Sequence, residues 1–158
     1  MKLFERILLA TDFSTCSEAA LAEAVRIAPA ESGASLIVFH AYQLPGSFAY
    51  APAAAYEQVE QVIREEADKK LAEVTARLSG RGVDVRGILC GGLPDEKIVE
   101  TANREGVDLI VMGTHGRRGP ARIFMGSVAA NVVATASCPV LTVRAAKPGE
   151  ESQAVQAA

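Results

Sequence analysis

The chain has 158 residues, 49% of them hydrophobic, and 16 basic against 19 acidic side chains give a net charge of −3. That describes one folded domain long enough to bury a core, without the basic face a nucleic-acid binder needs and without an apolar run of bilayer length. Three widely spaced cysteines, Cys16, Cys90 and Cys138, make neither a disulfide framework nor a zinc cluster and read as small packing residues.

In chain order, the continuous apolar run Arg6 to Thr11 predicts a first strand covered on both faces. Its apolar stretch Ile7 to Ala10 is too short for a signal peptide and an acid follows at once, so the expected location is the cytoplasm and no membrane is expected as partner. Asp12, Phe13 and Ser14 break the strand. Ser14 or Ser17 is suited to cap a helix to about Ala28, with Glu18 in its first turn and Pro29 and Gly33 beyond its end.

Ser35 to Ala41 is a second apolar strand. Gln43 to Ala53, rich in Pro, Gly, Ala and Tyr, has no period and reads as a loop. From Tyr56 to Leu78 the apolar residues Val59, Val62, Ile63, Ala67, Leu71, Val74 and Leu78 recur at helical spacing. Glu65–Lys69, Glu66–Lys70 and Glu73–Arg77 support that helix by about 0.3–0.5 kcal/mol each. Val83 to Leu89 alternates apolar and polar residues, as a strand near a sheet edge does. Pro94 to Arg104 is a short helix, with Gly106 past its end. Asp108 to Gly113 is a fourth strand. A glycine-rich loop follows, then a helix opened by Gly126 or Ser127 and reaching about Ala136, and a last strand from Pro139 to Val143. Residues 1–146 form one domain, and the polar tail 147–158 is expected to be disordered.

Strands alternating with helices predict an α/β fold: a doubly wound, five-stranded parallel sheet, Rossmann-like, with helices on both faces. Ligands in such sheets sit beyond the carboxyl ends of the strands where the strand order reverses. That points to Thr11 and Asp12 after the first strand, and to Gly113 onward after the fourth. The second stretch places Gly113, Gly116, Gly119 and Gly126 before a helix start at Ser127, with Arg117, Arg118 and Arg122 among them. Free amides and a helix dipole attract anions, and the arginines add local positive charge. A phosphate cradle and an ordinary tight loop with a solvated basic face both fit these residues. Neither a P-loop nor a dinucleotide fingerprint is present.

Three separated segments carry a resemblance. Gly113-x2-Gly116-x9-Gly126-Ser127 resembles the ATP-binding motif of the universal stress protein family. Ile7 to Ser14, including Asp12, resembles that family's first strand, and Ser137 to Arg144 its last. The likeness spans about residues 3 to 145. It implies an ATP-binding regulatory or stress-response protein. Asp12 would contact the ribose and the adenine edge, and the backbone of Ala41 would meet the adenine. Gly113 would lie against the ribose. Gly116, Gly126, Ser127 and Val128 would hold the phosphates, with His115 and Arg117 beside them and Mg2+ or Mn2+ on the phosphates. It also implies a homodimer through the apolar edge strand Pro139 to Val143, and a regulatory partner that the sequence does not name. Pro120 departs from the pattern and has no N–H to donate.

Set against these roles, Asp12 at a strand end is also suited to cap the next turn. His40 reads as a satisfied core histidine, and Tyr42, Tyr50 and Tyr56 either line or shield a pocket. No GxSxG element marks Ser14 or Ser17 as a nucleophile, and no base or P-loop lysine is placed for phosphate chemistry. Binding is therefore expected rather than catalysis. A weak nucleotide phosphohydrolase and a nucleotide-free dimeric scaffold are the alternatives.

Overall fold

Five parallel strands form one sheet: β1 (Arg6–Ala10), β2 (Ser35–Tyr42), β3 (Asp84–Gly91), β4 (Leu109–Gly113) and β5 (Val140–Val143). Their order across the sheet is β3-β2-β1-β4-β5 in the computed structural model, which describes residues 3–28, 33–115 and 125–145. Helices α1 (Thr15–Ile27), α2 (Ala53–Ser79), α3 (Pro94–Glu105) and α4 (Ser127–Thr135) make the connections. The predicted α/β class, the parallel sheet and the edge position of β3 are all present. The tail 147–158 lies outside the described residues.

The apolar runs are continuous because each strand of the centre has to satisfy two cores. Successive side chains of a strand point to opposite faces. Ile7, Leu9, Leu36, Val38, Leu109 and Val111 pack under Ala20, Leu21 and Ala24 of α1 and Leu71, Val74 and Leu78 of α2. Leu8, Ala10, Ile37, Phe39, Ile110 and Met112 pack on the other face, under Ile98 and Ala102 of α3 and Ala129 and Val132 of α4. In-register pairing locks the two patterns together: Leu8 lies opposite Ile37 and Ile110, and Leu9 opposite Val38 and Val111. A one-residue slip would turn both cores inside out.

Helix ends follow their residues. Ser14 caps α1, its side chain accepting the Ser17 N–H at 3.3 Å. Gly106 closes α3 in the left-handed region at φ 63°, which a side chain would strain. Most boundaries fall within two residues of expectation, and two features depart further. The segment after β2 contains a 3-10 turn over Gly46–Tyr50, and α2 begins at Ala53 rather than Tyr56. Ala53 to Ala55 add helix propensity without an apolar period, so periodicity alone does not reveal them. Of the 27 residues of α2, those buried are Ala67, Leu71, Val74 and Leu78, so its first half runs on past the sheet. No helix among the described residues is long and apolar enough to cross a membrane.

Candidate functional site

β1 and β4 are neighbours in the sheet, yet β1 feeds a helix on one face and β4 a helix on the other. The chain therefore parts at their carboxyl ends, and a cleft of about 970 Å³ opens there. That is the upper end of the range of small-molecule sites, about 300–1,000 Å³. Thr11, Asp12, Ala41, Gly113, His115, Gly126, Ser127 and Val128 all line it. Gly116 and Arg117 lie outside the described residues, as do Arg118, Gly119, Pro120 and Arg122.

On the β1 side a tight turn presents Asp12. The Phe13 N–H donates to Thr11 Oγ1 at 3.0 Å and the Ser14 N–H to Asp12 Oδ1 at 3.0 Å. Thr11 Oγ1 donates in turn to Ser17 Oγ at 3.1 Å, and Ser17 Oγ to the Ser14 carbonyl at 2.9 Å. Phe13 holds φ 61°, a conformation bulky residues avoid. Asp12 thus serves as a turn residue and a cleft residue together. His40 is half-buried and also lines the cleft, its Nδ1 2.7 Å from the Thr11 carbonyl.

On the β4 side, the Gly126 N–H donates to the Thr114 carbonyl at 2.7 Å and fastens the start of α4 to the end of β4. Gly126 is the N-cap, at φ −62° and ψ 155°, angles open to any residue. Its lack of a side chain has a steric cause instead: a Cβ there would stand 3.1 Å from the Thr114 carbonyl oxygen. Since the amide of Gly126 is engaged, the donors left to a ligand are those of Ser127, Val128 and Ala129. These begin α4 with no acceptor inside the helix, and among the described residues no side chain caps them. Helix dipole and amides together are suited to receive an anion.

Gly113 is held from the opposite side. A Cβ on it would meet Cys16 Sγ at 2.9 Å and the Cys16 backbone carbon at 3.1 Å. The close seat of α1 on β4 requires this glycine, apart from any ligand. Burial opposes ionisation of the Cys16 thiol, but hydrogen bonding with the backbone of His115, Ala145 and Thr114 and with the Thr114 hydroxyl outweighs it and holds the thiol below its ordinary range. His115 Nδ1 lies 3.0 Å from Thr114 Oγ1.

Several walls of the cleft carry no signal in the sequence. Met112 and Ile98 form an apolar floor, Ile63 of α2 a side, and Gln43 to Gly46 a rim. Ile63 and Ile98 belong to helical apolar stripes and look like any core residue there. Among the tyrosines, Tyr42 lines the cleft, while Tyr50 is 98% exposed. Burial and then the neighbouring Glu60, which accepts its hydroxyl at 3.2 Å, push the Tyr42 phenol up.

A model of the universal stress protein family matches residues 3–144. The chain is 34% identical to universal stress protein MJ0531 of Methanocaldococcus jannaschii, over 94% of this chain and 86% of that one. It is similar in structure to MJ0577 of the same organism, with a TM-score of 0.81 at 30% identity, covering 92% of this chain and 99% of that one. A universal stress protein solved in complex with cAMP superposes with a TM-score of 0.65 at 28% identity, covering 90% of this chain and 99% of that one. Match, identity and fold agree: the chain belongs to the universal stress protein family.

Proposed function

We propose that the protein is a stress-response regulator that binds ATP in this cleft and carries out no chemistry as its main role. The observation that carries the reading is the uncapped start of α4 at the cleft wall, opposite the turn that presents Asp12. Amides of Ser127, Val128 and Ala129 would take the phosphates. Asp12 would accept hydrogen bonds from the ribose hydroxyls, and the backbone at Ala41 would meet the adenine. The relative crystallised with cAMP supports an adenine nucleotide. The positive charge that Arg117, Arg118 and Arg122 bring to this stretch of the sequence favours a nucleotide with several phosphates. Mg2+ or Mn2+ would ride on the phosphate oxygens.

Binding rather than catalysis is favoured by how the polar groups are engaged. His40 Nδ1 faces the Thr11 carbonyl and Asp12 Oδ1 holds the Ser14 amide, so neither atom is poised as a base. In the same reading the protein works in the cytoplasm as a homodimer joined through β5 and passes its occupancy to a regulatory partner. Native mass spectrometry of the purified protein tests the reading: a mass increment of ATP is expected, with no phosphate release above the spontaneous rate. A protein that carries no nucleotide and takes up neither ATP, AMP nor cAMP at micromolar concentration would contradict it.

A further inference from the structure

We infer that His40 is a positioning residue for the nucleotide site, acting through the turn that presents Asp12; this rests on the nucleotide reading of the cleft. The need for such a residue arises where β1 stops. The Thr11 N–H still donates to the Phe39 carbonyl at 2.8 Å, as a continuation of the ladder. The Thr11 carbonyl comes after β1 has ended at Ala10, and it faces His40 Nδ1 at 2.7 Å. A carbonyl only accepts, so the ring proton sits on Nδ1.

The same imidazole touches the turn a second time. Its centroid lies 4.6 Å from that of the Phe13 ring, at a tilt of 44°. Phe13 is the residue held at φ 61°, where a side chain of its size does not settle without support from its surroundings. His40 therefore grips the residue before Asp12 through a hydrogen bond and the residue after it through a ring contact. The carboxylate between them is fixed further by the Ser14 N–H. A ring that reads from sequence as core filling is the brace of the first βα turn.

Calorimetric titration of the full chain with ATP and with adenosine, in four variants, tests this. His40→Leu removes the donor and the ring. It is expected to weaken both ligands by the same factor, about five- to tenfold, because the ribose end is common to both. His40→Asn, whose amide can stand in for Nδ1–H, should stay within about threefold of the parent. In an Asp12→Ala background, His40→Leu should add less than about twofold, since the group it positions is gone. Full additivity there, parental affinity in His40→Leu, or an equal loss in His40→Asn would overturn the inference. Nitrogen shifts of the His40 ring in the unaltered protein at about pH 8, where a free imidazole is neutral, provide a second and independent test. A proton on Nδ1 is expected, and a neutral ring protonated on Nε2 would overturn the inference even if His40→Leu fails to fold. If the parent binds neither ligand, the nucleotide reading is what fails, and the tautomer still judges the bond to Thr11.

Discussion

At the scale of single residues, Asp12 has two duties that substitution can separate. Its Oδ1 holds the Ser14 amide at 3.0 Å, and its carboxylate lines the cleft. Asp12→Asn keeps an oxygen for the turn and loses the charge, whereas Asp12→Ala loses both. Thermal unfolding should place Asp12→Asn near the parent and Asp12→Ala about 1 kcal/mol below it, the scale of one lost side-chain hydrogen bond. ATP binding should weaken by about 1–3 kcal/mol in both, the scale of a bond to a charged group. Parental affinity in Asp12→Asn would reduce the residue to a turn former. In the sequence a turn role and a ligand role for Asp12 stand as alternatives, and in the fold the residue holds both positions together. His40 is illegible in the sequence for a physical reason: its partner Thr11 is 29 residues earlier, across a strand pair, and no local pattern reports such a contact. Gly126 is legible as a special position, but the tight approach of the Thr114 carbonyl, 3.1 Å from where a Cβ would stand, is a contact between distant segments that no local pattern reports.

At the scale of elements, what the sequence makes plain is whatever burial imposes on a single segment. Doubly covered strands read as unbroken apolar runs, and β3 at the edge reads as an alternating one. What stays hidden is how closely two elements approach. Gly113 is the example: the family resemblance assigns it to a ligand, yet its missing side chain is set by the seat of α1 on β4. Gly113→Ala should therefore lower stability to urea by about 1–3 kcal/mol, the range of an overpacked core. Adding Cys16→Ala should not restore the loss, because the Cys16 backbone itself stands 3.1 Å from the new Cβ. A double variant as stable as the parent would show that the thiol alone made the contact. The same α1 seat fixes the end of β5, where Cys16 Sγ donates to the Val143 carbonyl at 3.4 Å and the Thr114 N–H to the same oxygen at 2.9 Å.

At the scale of the molecule, the sheet has two edges and they are not alike. β3 is a mixed strand with half of its residues exposed, while β5 is mostly apolar and half-buried at every residue from Val140 to Val143. A second copy of the chain pairing along β5 would cover that edge. Sedimentation at micromolar concentration should report two chains, and Leu141→Lys should shift the population to one, since a charge on an edge opposes pairing. A parent that sediments as a single chain would rule out the proposed dimer. The proposed function turns on one contact, an adenine nucleotide held in this cleft by its phosphates at the start of α4. Calorimetric titration of the unaltered protein with ATP and with adenosine, at low and at high salt, tests it most directly. ATP should bind more tightly than adenosine, and only the ATP affinity should fall as salt rises. Equal affinity for the two ligands, with no salt dependence for either, would contradict it.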